Sequence, residues 1–294
     1  MVRKDTGFQV FANIIMIILS AMVIFPLALL VMSSLSKEAD IIKYGYSLIP
    51  KELDFTSYKF IFGEGSIFHS YLVTIFVTVV GTVVSVIITT MISYTLTVPG
   101  LPGKKFLSFY VLFTMLFSGG LIPTYLMWTN IFHIKNTIFA LLVPSLLCSS
   151  FHIMITRTYF QNNIPKEILE SARIDGMSEF GIFFKIVLPL STPIIATIGF
   201  MKALMYWNDW TNSLYYITDK KLVGIQALLN NMLSNVQYLA QSMDASMVAT
   251  DAANLPTLGI RMAVAVVGML PMILLYPFFQ KYYMQGLTVG AVKG

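Results

Sequence analysis

Residues 6–36 hold no Asp, Glu, Lys or Arg, and within them Phe8–Met32 is an almost continuous apolar run. A helix needs about 20 such residues to cross the hydrocarbon core of a bilayer. The run is too long for a signal-peptide core and lacks a small-x-small cleavage site, so it predicts an uncleaved first span with Pro26 as a candidate kink. Five further runs repeat the pattern: Tyr71–Val98, Phe106–Trp128, Ile138–Tyr159, Leu190–Trp210 and Ile260–Phe279. The third is interrupted by Gly119, Gly120 and Pro123, and the fourth contains Pro144. Ser and Thr within the second are expected to bond back to carbonyls of their own helix. The expected fold class is an all-α membrane protein with six transmembrane helices.

Only 11% of the 294 residues are charged and 56% are hydrophobic, against about 25% charged in an ordinary soluble domain. The net charge of +5 does not point to nucleic acid, because the basic residues flank the apolar runs, where they set topology. With the N-terminus inside, ten Lys and Arg face the cytoplasm and seven lie outside. The Lys104-Lys105 pair in the short Pro99–Lys105 turn weighs most, since short loops dominate the positive-inside rule. Both termini are then cytoplasmic. The polar stretch Ser33–Ser70 and the longer loop Thr211–Gly259 lie outside. Cys148, the only cysteine, cannot form an intrachain disulfide.

The cytoplasmic loop 167–189, EILESARIDGMSEFGIFFKIVLP, carries charges between two strongly apolar runs. Asn163 is a candidate cap for a helix whose first turn takes Pro165. Pro165, Ile168, Leu169, Ala172 and Gly176 share one face of that helix, with Glu167 and Glu170 on the other. Gly176 suits the left-handed residue that ends it, and Ser178 suits the start of a second short helix. The residues alone leave two readings open: an amphipathic helix resting on membrane or protein, or a docking element.

The order Glu170-Ser171-Ala172, Gly176, Ile186 and Leu188-Pro189 resembles the EAA motif of bacterial ABC importer permeases, with serine for the first alanine. The tail Gly286–Gly294 (GLTVGAVKG) and Trp207-Asn208-Asp209 are similar to the carbohydrate branch, the maltose-type second permease and its relatives for complex oligosaccharides. The resemblance runs from about residue 70 to the C-terminus. It implies the type I importer permease fold, with a first helix and external loop over 1–69, the transmembrane domain over 70–280, and a cytoplasmic tail over 281–294. It also implies a coupling helix between spans four and five that docks on a separate ATPase. Glu167, Glu170, Ser171, Ala172, Arg173, Asp175 and Gly176 are the coupling residues so assigned. The tail would approach the ATPase dimer, or else be a frayed end.

The implied function is solute import in the bacterial cytoplasmic membrane. The implied partners are a second homologous permease, an ATPase dimer that carries ATP and Mg, an extracytoplasmic sugar-binding protein, and lipid. No cofactor is expected on this chain: it has no Gly-x4-Gly-Lys-Ser/Thr phosphate loop, no His/Cys cluster and no catalytic constellation. His152, inside the fourth run, is expected to be packed and hydrogen-bonded. The alternative keeps the architecture and changes the solute to a polyamine, phosphate or glycerol-phosphate ester. A stand-alone channel or sensor would leave the EAA-like loop unexplained.

Two external or pathway sites complete the reading. Residues 222–243 are uncharged and rich in amides, which predicts amphipathic helices outside the membrane. Gln226, Asn230, Asn231 and Asn235 then either meet the binding protein or cap the bundle. Lys202 lies twelve residues past Leu190 in the fifth run, about 18 Å into a core of about 30 Å. It either faces a cavity, where Lys202, Tyr206, Trp207, Asn208 and Asp209 would line the sugar path, or pairs with a neighbouring span.

Overall fold

In the computed structural model, residues 6–63, 65–242 and 257–291 are described, and no strand occurs among them. The helices are α1 Thr6–Ser34, α2 Glu38–Tyr44, α3 Thr56–Gly63, α4 Ser66–Thr95, α5 Lys104–Leu116, α6 Leu121–Leu126, α7 Phe139–Leu142 and α8 Ser150–Asn163. They continue as α9 Lys166–Ile174, α10 Glu179–Ile182, α11 Leu188–Leu190, α12 Thr192–Trp207, α13 Thr211–Tyr216, α14 Ile225–Ser242 and α15 Thr257–Ala291. Single π-helical turns follow α6 at Met127–Ile131 and α10 at Phe183–Val187.

Among the described residues, three helices are long and apolar enough to cross a bilayer: Gly7–Ser34, Ser66–Thr95 and Thr257–Gln280. Two more stretches reach that length only as bent pairs. Lys104–Leu116 meets Leu121–Ile131 at 117°, and Glu179–Leu190 meets Thr192–Trp207 at 82°. The first bend falls at Gly119-Gly120, where the missing Cβ atoms permit Gly120 to take φ 83°. The second falls at Ser191, just past Pro189. Pro26 sits inside an unbroken α1, and Pro271 and Pro277 sit inside α15.

The fourth run is the main departure from six continuous spans. Ile138–Tyr159 is split into α7 and α8, with Pro144 and a left-handed Ser145 (φ 62°) between them. Pro144 can neither donate a helical hydrogen bond nor sit in a helix interior without clashing one turn back. Backbone freed at membrane depth persists only where protein or a water-filled space satisfies it. Side chains do so here. The Tyr206 hydroxyl donates to Leu142 O at 2.8 Å, Asn212 Nδ2 to Pro144 O at 3.1 Å, Lys202 Nζ to Leu146 O at 2.6 Å and Ser85 Oγ to Leu147 O at 2.7 Å.

The described residues divide into two compact units. In the first, built from residues up to Ile67 and from Leu229–Leu270, the external segment after α1 is tied by side chains. Ser34 bonds Tyr58 at 2.7 Å and Lys37 pairs with Glu52 at 2.8 Å. The Glu38 carboxylate accepts from the amides of Leu258 and Gly259, both at 2.9 Å. A carboxylate is favoured there because the first amides of α15 lack partners and carry the positive end of the helix dipole.

The second unit comprises Phe68–Leu228 and the residues from Pro271 onward. Within it α4 is the central element. Thr90 and Thr95 bond back to Val86 O and Met91 O as expected, but Ser85 and Ser93 also reach Leu147 O and Ile153 O on neighbouring segments. Gly81 lets α4 approach α12 closely, since a Cβ there would overlap the Tyr206 ring. That ring is 2% exposed and anchored through its hydroxyl, so it has nowhere to move. Gly81→Ala is expected to cost about 1–3 kcal/mol as an overpacking change. A lowered melting temperature of the detergent-purified protein would show it, whereas Gly65→Ala, where a Cβ meets nothing, is the control.

A candidate coupling loop and the segments around it

Asn163 does not begin the loop helix. It is the last residue of α8, and its amide donates to Tyr159 O. Pro165, extended at ψ 130°, precedes α9, which starts at Lys166. The helix ends at Gly176, whose φ of 79° lies in the left-handed region. The Met177 amide returns to Ala172 O at 3.0 Å, closing the end of the helix. Ser178 then caps α10 by accepting from the Gly181 amide at 3.2 Å.

The assigned coupling residues divide by the face they present. Glu167, Glu170, Ser171, Asp175 and Gly176 are exposed, as are Ile168 and Ile174, the latter 86% exposed. Ala172, 6% exposed, belongs to the apolar cluster of Tyr94, Phe160, Ile164 and Ile182 and also edges the surface cavity beside Glu167 and Ser171. At Gly176 a Cβ would meet no atom of this chain, and the left-handed backbone is what requires glycine within it. A cavity of about 410 Å³ opens on the exposed side beside Glu167, Ser171, Asp175 and Ile186.

Arg173 is engaged inside the chain. Its Nε donates to Glu179 Oε1 at 2.7 Å and its Nη2 to Oε2 at 3.4 Å. The Tyr94 hydroxyl at the end of α4 donates to the same Oε2. Arg173 foremost, with Tyr94 adding to it, holds the Glu179 carboxyl below its ordinary value of 4.5 despite partial burial. The stabilisation from this link is therefore complete at neutral pH and is lost only as pH falls through that depressed value. Tyr94 and Glu179 were not legible as site residues from local spacing. Just past the C-terminal end of α4, Lys104 Nζ donates to Thr97 O and Val98 O at 3.2 and 3.0 Å, placing a cation on carbonyls at a helix C-terminus.

The expected pathway residues do not gather on an open wall. Lys202 is fully buried on Leu146 O, Tyr206 packs in an apolar cluster, and Trp207 is 2% exposed beside Tyr71 at 6.1 Å. Asn208 is exposed and bonds its own helix at Leu204 O, while Asp209 accepts from Thr211 and Asn212 at the start of α13. Of the two readings of Lys202, the geometry matches pairing with a neighbouring segment. An open, hydroxyl-lined cavity of about 530 Å³ lies instead beside the broken fourth run, between Tyr110, Thr114, Ser145, Cys148, Ser149 and Ser150. His152 is 3% exposed, and neither ring nitrogen has a partner among the described residues, contrary to a hydrogen-bonded packing role.

In α14, Asn231 and Asn235 are exposed along with Ser234 and Tyr238, whereas Gln226 and Asn230 are half-buried. Leu229, Met232 and Val236 turn inward, giving the amphipathic helix the amide pattern implied. Residues 243–256 of the same loop, and Val292–Gly294 of the tail, lie outside the described residues. The tail is helical up to Ala291.

Residues 70–289 match the family described as binding-protein-dependent transport system inner membrane component. The chain is 36% identical over 272 residues to the polygalacturonan/rhamnogalacturonan transport system permease protein YtcP of Bacillus subtilis (strain 168), covering 92% of this chain and 93% of that one. It is 36% identical over 274 residues to protein LplC of the same organism, covering 93% and 90%. A crystal structure of a bacterial ABC transporter that imports the acidic polysaccharide alginate contains a chain that superposes with a TM-score of 0.78 at 26% identity, over 96% of this chain and 99% of that one. An all-helical chain with spanning helices, a charged loop between its broken fourth and fifth runs, and these full-length likenesses belongs to the binding-protein-dependent ABC importer permeases, as a membrane-embedded subunit of such an importer.

Proposed function

We propose that this chain forms half of the translocation path of an importer for oligosaccharides, acidic ones foremost. The full-length likeness to a polygalacturonan/rhamnogalacturonan permease and to an alginate importer carries that reading. The chain crosses the membrane six times with both termini cytoplasmic, the broken fourth run counting as one crossing. A second homologous permease completes the path, and the exposed apolar side chains of α1 face it and lipid. The solute passes the cavity beside Ser145, Ser149, Ser150 and Thr114, where hydroxyls exchange hydrogen bonds with sugar hydroxyls. A break in a membrane helix is where such paths are commonly built. ATP and Mg are held by a separate ATPase dimer, which the exposed face of α9 engages through Glu167, Glu170, Ser171 and Asp175. The extracytoplasmic binding protein docks on Asn231 and Asn235 of α14.

The test is reconstitution with the partner permease, ATPase and binding protein in vesicles. Labelled oligogalacturonides are expected to enter only with ATP inside and binding protein outside. Asn231→Arg with Asn235→Arg changes only exposed positions. It is expected to remove the stimulation of ATP hydrolysis by binding protein and leave assembly intact. Uptake of spermidine or phosphate in place of oligosaccharide would refute the solute class, and retained stimulation would refute docking on α14.

A further inference from the structure

One carboxylate joins three elements on the cytoplasmic side. Glu179 opens α10, Arg173 closes α9, and Tyr94 ends α4, and both Glu179 oxygens are taken by the other two. Tyr94 is 6% exposed, and its ring lies 5.4 Å from Phe183, which follows α10 directly. The ring contact with Phe183 thus holds the hydroxyl at the meeting point. On either side of it the packing is open: a cavity of about 550 Å³ lies toward α9, and one of about 210 Å³ toward Leu101 and Phe180. The Tyr94 hydroxyl is thus the polar link between the loop and α4, set beside the apolar packing of Phe160, Ile182 and Phe183.

The helix α4 carries the bridge onward. Nine residues before Tyr94, about 14 Å along the axis, Ser85 holds Leu147 O in the broken fourth run, next to Cys148 on the cavity wall. Ser93 holds Ile153 O at 2.9 Å on α8, and Gly81 seats the Tyr206 ring. A packed helix with fixed side-chain links moves as a body, so displacement of α9 reaches the segment at Ser145–Ser150 through α4 as well as through α10–α12. Both routes leave from Glu179.

We propose that the Tyr94–Glu179–Arg173 link is a positioning device that transmits movement of the 166–190 loop to α4, and through α4 to the cavity beside the broken fourth run. The proposal rests on the importer reading above. Tyr94 and Glu179 act through their neighbours and touch neither solute nor nucleotide.

Cys148, the only cysteine of the chain and an exposed residue of the cavity wall, supplies a readout independent of which solute is carried. The assembled complex in vesicles is labelled with a maleimide, with and without ATP plus vanadate to trap the closed ATPase, and labelling is read on this chain alone. The wild-type complex is expected to change its Cys148 labelling rate on trapping. Tyr94→Phe, which keeps the ring against Phe183 and removes one hydrogen bond to a carboxylate, is expected to lose about tenfold of that response. ATP hydrolysis is expected to persist in that variant. Glu179→Gln, which keeps the shape and removes the charge, is expected to lose the response in the same way and serves if Tyr94→Phe fails to accumulate. A trapped-state response in either variant equal to wild type overturns the link as a transmission element. No ATP hydrolysis by the wild-type complex overturns the importer reading itself, and the link with it, so the two failures are distinguishable.

Discussion

Gly176→Val is expected to abolish ATP-driven uptake while the chain still inserts in the membrane. The residue sits at φ 79°, and no atom lies within 4 Å of the place a Cβ would take. Crowding within the chain is therefore not the reason for glycine. The left-handed conformation is, and it costs a β-branched residue about 1–3 kcal/mol. Relief of that strain would unwind the end of α9, releasing the Met177 amide from Ala172 O and moving Arg173 off Glu179. The exposed acidic face at Glu170 and Asp175 would then turn away from whatever it docks on. The same logic orders a series: Asn, which tolerates the left-handed region, should retain most uptake, Ala less and Val none. Equal loss for Asn and Val would mean that an outside partner needs bare backbone at this position, and the strain argument would fail.

Glu170→Ala belongs to the same face but acts differently, since Glu170 is exposed and its loss leaves α9 intact. Any effect on uptake then reports the docking contact alone.

What the sequence made legible follows from the range over which each signal acts. The bodies of α4 and α12, though not their ends, the left-handed Gly176 and the Ser178 cap are local, written in apolar runs and in one or two special residues. The face of α9 that carries Leu169 and Ala172 was also readable as one face. What covers that face stayed open, because periodicity says which residues share a side and not what lies against them; here the chain's own Phe160, Ile164 and Ile182 do. The broken fourth run was hidden for a related reason. Ile138–Tyr159 is apolar throughout, and Pro144 is as compatible with a kink as with a full break. The donors that make the break tolerable stand far away in sequence, Ser85 at 62 residues from Leu147 and Lys202 at 56 from Leu146. Tyr94 stands 85 residues from Glu179. No spacing rule reaches that far.

Lys202→Glu is expected to prevent accumulation of the protein in the membrane, and Lys202→Met to lower its stability with equal effect on all solutes. The amino group is fully buried and donates to Leu146 O at 2.6 Å, in the stretch where Pro144 and the left-handed Ser145 break the fourth run. A buried carbonyl left without a donor costs about 1–3 kcal/mol. Methionine fills the space and removes a buried cation, so part of that cost is returned. Glutamate sets a buried carboxylate against a carbonyl oxygen, so the carbonyl keeps its loss and a repulsion is added. Tyr206→Phe isolates the carbonyl term, because it deletes only the donor to Leu142 O and leaves the ring on Gly81. Its melting temperature should therefore fall by more than that of Lys202→Met, where losing the buried cation offsets part of the cost. Uptake of a neutral and an acidic tetrasaccharide is then compared per unit of folded Lys202→Met protein. Equal uptake of both identifies Lys202 as a support of the broken helix. Selective loss of the acidic sugar, with stability unchanged, would instead place the amino group in contact with solute during transport and refute the structural role.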